Sequence, residues 1–263
     1  MSIVKINDLN DPRLDSYRDL RNHRRFEGEG LFVVEGETLV GYALEAGMEF
    51  VSCLVAEERL ASIPAGFPVE VPCFAIPQAA FPEVAGYRFH RGLMAMARRR
   101  PLSTIDEVLA GEGFQRIVVC PDLTDPENLG TILRLSAGLG ADAVLLGPEV
   151  PDVWSRRVVR VSMGAVWKLP VARFERMDLL AAGLQAHGCQ LVGTVLQGEA
   201  VELGRFVWPE RAAILMGNEA FGLDDQTRSL CQARVTLKMC RGVDSLNVAT
   251  AAAIFLHDSF ARR

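Results

Sequence analysis

The sequence predicts an α/β protein whose second half is built on a parallel sheet and whose first half is a smaller α/β unit. Three observations carry this. From residue 116 onward, short apolar runs alternate with helical patterns, as strands buried on both faces of a parallel sheet require. Before residue 105 the elements are short and punctuated by Pro64, Pro68, Pro72, Pro77 and Pro82. The 263 residues, 49% hydrophobic and 23% charged, supply core for two domains and carry no compositional sign of disorder. The expected domains are 1–105 and 106–263, joined through the stretch 98–113 with its Pro101 and two glycines.

Taken in order, residues 13–25 read as a polar helix, Leu31–Val34 as a strand, and Glu37–Ala46 as a helix stopped by Gly47. Phe50–Ala56, Val69–Ala75 and Gly92–Ala97 read as further strands. In the second half, strands are expected at Arg116–Pro121, Ala143–Gly147, Gln190–Leu196, Ala212–Gly217 and Arg234–Met239. Helices fit between and after them at Asn128–Gly140, Met177–Ala186, Asp224–Cys231 and Leu246–Arg262. An open parallel sheet binds ligands beyond the carboxyl ends of its strands, so chemistry is expected just after these runs.

No apolar run approaches the roughly 18 residues that span a bilayer, and Met1–Asn10 lacks the order of a signal peptide, so a soluble cytoplasmic protein is expected. The six cysteines form no Cys-x-x-Cys pair and the four histidines no cluster, so they read as reduced thiols and no metal is expected. A formal charge of −5 argues against indiscriminate nucleic-acid binding. Arginines nonetheless gather at Arg18, Arg21, Arg24 and Arg25, at Arg88, Arg91 and Arg98 to Arg100, and at Arg156, Arg157 and Arg160. Such clusters in an acidic chain point to localised phosphate contacts.

Three segments following strands carry candidate chemistry. In Asp122–Arg134, Asp125 and Pro126 read as an ordinary helix start, while Asn128, Thr131 and Arg134 fall together off the buried stripe, where Arg134 can reach a phosphate or sugar oxygen. In Ile214–Leu223, a strand ends at Gly217 and offers the carboxamide of Asn218 and the carboxylate of Glu219, with Gly222 three residues on. In Leu237–Val248, Asp244 or Ser245 can cap the closing helix. Capping leaves the polar residues interleaved with Leu246 and Val248 unexplained; that alternation suits a loop cupping an apolar and polar cofactor.

At these residues the chain resembles the SpoU (TrmH-like) branch of the SPOUT methyltransferases. The matches are Asn128-x-Gly130-x-x-x-Arg134, Arg160-x-Ser162-x-Gly164-Ala165, Gly217-Asn218-Glu219-x-x-Gly222 and Ser245-Leu246-Asn247-Val248 before an Ala-rich helix. The resemblance implies a C-terminal parallel-sheet domain with a deep trefoil knot that binds S-adenosylmethionine, and a homodimer whose site is completed across the interface. It implies that Thr194, Gly217, Leu237, Met239 and Leu246 line the cofactor, and that Arg134, Asn128, Glu219, Ser245 and Asn247 face a ribose whose 2′-hydroxyl is methylated. Phe32–Gly36 and Arg91–Ala97 resemble the family's small RNA-binding domain, itself similar to ribosomal RNA-binding proteins, which implies RNA contacts at Arg24, Arg25, Arg91, Arg98 and Arg160. The substrate is then a structured RNA, either tRNA or rRNA. Arg134 is the family's general base; because a guanidinium stays protonated, its alternative role is to stabilise the developing alkoxide and hold the adjacent phosphate. Lys238 stands where the family usually has proline. Two rival readings are an RNA-binding protein that has lost activity and a methyltransferase acting on a base nitrogen. A third, a dinucleotide-binding oxidoreductase, lacks its Gly-x-Gly-x-x-Gly.

Overall fold

Alternation of apolar runs with short polar turns produces two sheets in a computed structural model of the chain, which describes residues 2–18, 20, 28–113, 115–196 and 199–261. The first sheet contains β1 (Ile3–Lys5), β2 (Leu31–Glu35), β3 (Phe50–Ala56), β4 (Cys73–Ile76) and β5 (Leu93–Arg98), with α1 (Glu37–Glu45) and α2 (Phe81–Ala85) between them. Its order is β1-β4-β3-β5-β2; β1, β4 and β3 run parallel, and β5 pairs antiparallel with both β3 and β2. Leu14, Tyr17, Leu54, Phe74, Phe81 and Met94 fill the core of this unit. Within it, the Tyr17 hydroxyl and Ser52 Oγ lie 2.7 Å apart, so the buried polar atoms satisfy each other.

The second unit carries α3 (Ile105–Leu109), β6 (Gln115–Cys120), α4 (Pro126–Leu139) and β7 (Ala143–Leu146). After α5 (Arg156–Ser162) come β8 (Val171–Arg173), α6 (Met177–Ala186), β9 (Gln190–Thr194), β10 (Val201–Glu202) and β11 (Arg211–Leu215). The chain closes with α7 (Asp225–Leu230), β12 (Ala233–Thr236) and α8 (Val248–Ala261). The seven strands are all parallel, in the order β10-β12-β9-β11-β6-β7-β8. Every residue of β6 and β7 is buried, as a sheet covered on both faces demands. From β6 the chain steps outward through β7 to β8, then crosses back to β9, and β11 later enters between β9 and β6. Connections therefore diverge beside β6 and β11, where a crevice opens at their carboxyl ends.

Two compact units divide the chain, Met1–Arg100 with Trp154–Gly164, and Pro101–Val153 with Ala165–Arg263. The expected continuous boundary at 105/106 thus needs amending, because the segment carrying α5 belongs with the first unit. Aromatic and ionic contacts within that unit explain it. Trp154 packs on Phe32 with ring centroids 4.8 Å apart, Arg156 Nη1 donates to the buried Glu35 carboxylate at 2.9 Å, and the same guanidinium lies 4.2 Å over the Tyr87 ring. Tyr87 also donates its hydroxyl to Glu35.

Several local expectations change. Of the polar helix expected over 13–25, the described part is a 3-10 turn at Pro12–Tyr17, begun by Asp11 accepting the Arg13 amide; residues 21–27 lie outside the described residues. The strand expected from Val69 starts only at Cys73, because Pro72 lacks an N–H for the ladder and the Val71 amide closes a turn onto Pro68. The joint contains α3, which Thr104 and Glu107 start with a reciprocal capping box. The short strands β8 and β10, three and two residues long, and the helix α5 were not expected. Among the described residues no helix is long and apolar enough to cross a membrane, and no group of His, Cys, Asp and Glu is arranged to hold a metal. Cys53, Cys73, Cys120 and Cys189 are buried free thiols, Cys231 is half-buried and Cys240 is exposed.

Candidate active site

Three loops meet at the carboxyl ends of β6, β9 and β11, and each is shaped by its own sequence. The first leads from β6 into α4. Asp125 accepts the Glu127 amide at 2.8 Å and Pro126 occupies the first helical position, which fixes the helix start and turns Asn128 inward, where it is buried.

The second loop follows β11. Asn218 and Gly222 exchange backbone hydrogen bonds of 3.0 and 2.9 Å, so residues 218–222 close into a tight loop. The Asn218 side chain fills it, its Oδ1 accepting the amides of Ala220 and Phe221 at 2.9 and 3.3 Å while its Nδ2 donates to the Asp122 carbonyl at 3.1 Å. Gly217 is required at the base. A Cβ there would stand 2.5 Å from the Gly222 carbonyl carbon and 2.7 Å from the Leu223 nitrogen, both backbone atoms that cannot turn away. Gly217 thus stands where the chain packs closely against its own backbone. The third loop, 237–247, ends in Asn247, whose Oδ1 accepts the Ala249 and Thr250 amides at 2.9 and 3.4 Å. Asn247 is thus the cap of α8, in place of the expected Asp244 or Ser245.

Side chains from these loops join in one line. Glu219 Oε1 accepts from Asn128 Nδ2 at 3.0 Å and from the Asp125 amide at 3.2 Å; Oε2 accepts from the Thr124 amide and hydroxyl at 3.3 Å each. Asn128 Oδ1 in turn accepts from Asn247 Nδ2 at 2.9 Å. Burial pushes the Glu219 carboxyl up, but the hydrogen bonds from Asn128 and the backbone amides outweigh it and hold the group below its ordinary range. Glu219 is therefore an anion at neutral pH with its lone pairs committed to positioning, which makes it a poor proton acceptor.

A cleft of about 300 Å³ opens around this line, lined among others by Asn128, Thr194, Gly217, Glu219, Ser245, Leu246 and Asn247. A smaller recess of about 50 Å³ adjoins it, sharing Thr194 and Leu246 and adding Leu237 and Met239. The lining combines the polar side chains of Asn128, Thr194, Ser245 and Asn247 with Leu196, Leu246, Val248 and Ala251, which suits a ligand with both polar and apolar parts.

A model of the SpoU rRNA Methylase family matches residues 115–257, more than half the chain. An uncharacterized tRNA/rRNA methyltransferase of Mycobacterium bovis is 34% identical over 268 residues, covering 98% of this chain and 92% of that protein. The chain belongs to the SpoU methylase family. A further relative, the 23S rRNA (guanosine(2553)-2′-O)-methyltransferase RlmP of Bacillus subtilis, is 27% identical over 96% of this chain and 98% of its own length. Among solved structures, an AdoMet-bound rRNA methyltransferase from Sinorhizobium meliloti superposes with a TM-score of 0.85 at 25% identity, covering 98% of each chain. The SpoU methyltransferase AviRb from Streptomyces viridochromogenes, also in complex with AdoMet, gives 0.81 at 25% identity over 96% of this chain and 98% of its own. The parallel-sheet α/β fold expected of a SpoU chain is the one observed.

Of the residues the family resemblance singles out, Asn128, Glu219, Ser245, Asn247, Thr194, Gly217 and Leu246 line the cleft, and Leu237 and Met239 line its recess. Arg134 does not. It is exposed on α4, more than a turn beyond Asn128, and pairs with nothing among the described residues. The expected RNA contacts Arg91, Arg98 and Arg160 belong to the first unit. Arg91 is exposed, Arg98 is ion-paired with Glu49 at 2.7 Å, and Arg160 is half-buried in the last turn of α5; Arg24 and Arg25 lie outside the described residues. Sequence reasoning missed the structural work of Asn218 and the cap at Asn247. The Asx pattern, an Asn two residues before the amides it accepts, was the available signal.

Proposed function

We propose that this chain transfers a methyl group from S-adenosylmethionine to a ribose 2′-hydroxyl of structured RNA, ribosomal or transfer, at the cleft beside β6, β9 and β11. The observation that carries this reading is the line Glu219, Asn128, Asn247, which gathers three separate family motifs around one cavity. The family membership and the AdoMet-bound neighbours support it.

Thr194, Gly217, Leu237, Met239 and Leu246 hold the cofactor, which when bound supplies an electrophilic methyl group. Asn128, held by Glu219, and Asn247, bonded to Asn128, form a wall of the cleft that Ser245 also lines, and the Ser245 hydroxyl meets the ribose. Holding donor and acceptor in line accounts for roughly 7 to 11 kcal/mol of barrier in favourable cases. Of the described lining residues, Glu219 alone carries a charge, and its oxygens are already engaged. Arg134 from a second copy of the chain completes the site, its guanidinium stabilising the developing alkoxide and the neighbouring phosphate while solvent removes the proton. The trefoil knot belongs to the same reading, supported by the late entry of β11 between β9 and β6. So does RNA selection by the first unit, through Arg91, Arg98 and Arg160, in the cytoplasm.

Subunit mixing tests the shared site. Arg134→Ala and Asn247→Ala are each expected to abolish methyl transfer to RNA while still binding S-adenosylmethionine in calorimetry. Mixed together, they regain partial activity, because a heterodimer rebuilds one intact site. Activity in Arg134→Ala alone contradicts the assignment.

A further inference from the structure

Phe221 is the most exposed large apolar side chain among the described residues, at 90%, and it stands on the loop that forms one wall of the cleft. Single exposed hydrophobics are commonplace. Three features set this one apart.

First, the loop holds it outward. The paired backbone bonds between Asn218 and Gly222, and Asn218 Oδ1 accepting the Phe221 amide itself, leave the backbone little freedom to fold the ring inward. Second, the ring borders a hollow of its own. A cavity of about 220 Å³ is lined by Thr194, Val195, Leu196, Phe221, Gly222, Leu223 and Arg228. It shares Thr194, Leu196 and Gly222 with the cleft, so the two cavities adjoin. Third, the hollow combines an aromatic face, an exposed aliphatic side chain at Leu196 and the Arg228 guanidinium, which pairs with the highly exposed Asp225. A cation so paired at the surface is exchanged for a phosphate at little cost.

Unpaired RNA bases are recognised by stacking on aromatic rings, with arginine taking the backbone phosphate. We infer that Phe221 is a stacking platform for an unpaired nucleobase of the RNA next to the methylated nucleotide, with Arg228 holding the connecting phosphate. The inference rests on the methyl-transfer reading above and assigns it a substrate class: the target lies in a single-stranded loop or bulge. A loop backbone held in place by these bonds lowers the conformational entropy lost on stacking.

The test compares Phe221→Ser, Phe221→Trp and wild type on RNA purified from cells lacking the gene. Phe221→Ser is expected to lower kcat/KM for RNA by about tenfold to a hundredfold, through KM, as loss of one stacked base implies. Phe221→Trp retains activity, S-adenosylmethionine affinity by calorimetry is unchanged in both, and both elute at the wild-type size. Unchanged kcat/KM in Phe221→Ser overturns the proposal. Weakened cofactor affinity assigns the hollow to the cofactor instead, and a change of elution size assigns it to an interface; either result overturns the proposal too. If wild type itself transfers no methyl group to any RNA, the underlying methyl-transfer reading has failed, which is a different outcome from a selective failure at Phe221.

Discussion

Asn247 donates its Nδ2 to Asn128 Oδ1 at 2.9 Å across 119 residues of sequence, while its own Oδ1 caps α8. One side chain thus starts the closing helix and fastens it to the start of α4. Loss of a cap of this kind costs about 1 kcal/mol, and loss of the bond to Asn128 leaves a buried acceptor short of its partner. Asn247→Ala is expected to destabilise the protein by about 1–3 kcal/mol in denaturant unfolding. A double-mutant cycle with Asn128→Ala should return a coupling of about 0.5–3 kcal/mol. Strict additivity of the two substitutions would show that the contact is not energetically shared.

Glu219 supplies the acid-side pH dependence. Its folded pKa lies below the ordinary value of 4.5, so its contribution to stability is full above that value and is lost as pH falls through the depressed one. The effect is modest, because the carboxylate is largely exposed and screened. Glu219→Gln presents an amide donor to a ring of donors at Thr124, Asp125 and Asn128. The variant is expected to be less stable than wild type at pH 7, with the gap narrowing as wild type is titrated below pH 4; thermal unfolding across pH 3 to 7 measures this. A gap that does not change with pH contradicts the assignment.

Arg116 ties the far end of the same helix. Its buried guanidinium donates to the carbonyls of Ser259, Gln115 and Glu210 at 2.9 to 3.3 Å and lies 5.6 Å from the Trp208 ring. Arg116→Met keeps the volume and removes every donor. With each stranded carbonyl costing about 1–3 kcal/mol, unfolding in urea should report a loss of about 3 kcal/mol or more. A loss under about 1 kcal/mol would mean that solvent reaches these carbonyls.

Arg241 has φ of 58°, a left-handed conformation that side chains rarely adopt, in the loop leading to Ser245. Asparagine tolerates that region better, so Arg241→Asn is expected to stabilise the protein by about 0.5–1 kcal/mol in thermal unfolding. A lower melting temperature would show that the Arg241 side chain contributes more than its backbone costs.

The sequence carried the second unit well because its strands are long apolar runs bounded by turn residues, and β6, β9 and β11 fall within a residue or two of expectation. It carried less of the first unit. There, prolines at Pro68 and Pro72 cut a β-rich run short, and the placement of α5 depends on Arg156 finding Glu35 across 121 residues, a pairing no local pattern encodes. The residues that line the cleft were legible as motifs; the hydrogen bonds they make were not. Asn218 and Glu219 look like ligand groups in sequence, yet in the fold their polar atoms serve neighbouring loops, because each sits where two chain segments must be joined. Arg134 reads as part of the same cluster by spacing, but lies beyond the cleft on an exposed helix face.

Ribose methylation of RNA by this chain is measured by mass-spectrometric mapping of 2′-O-methyl groups in ribosomal and transfer RNA from cells with and without the gene. One or a few ribose methyl groups are expected to be lost on deletion and restored by the wild-type gene but not by Arg134→Ala. Identical methylation maps in the presence and absence of the gene would contradict it.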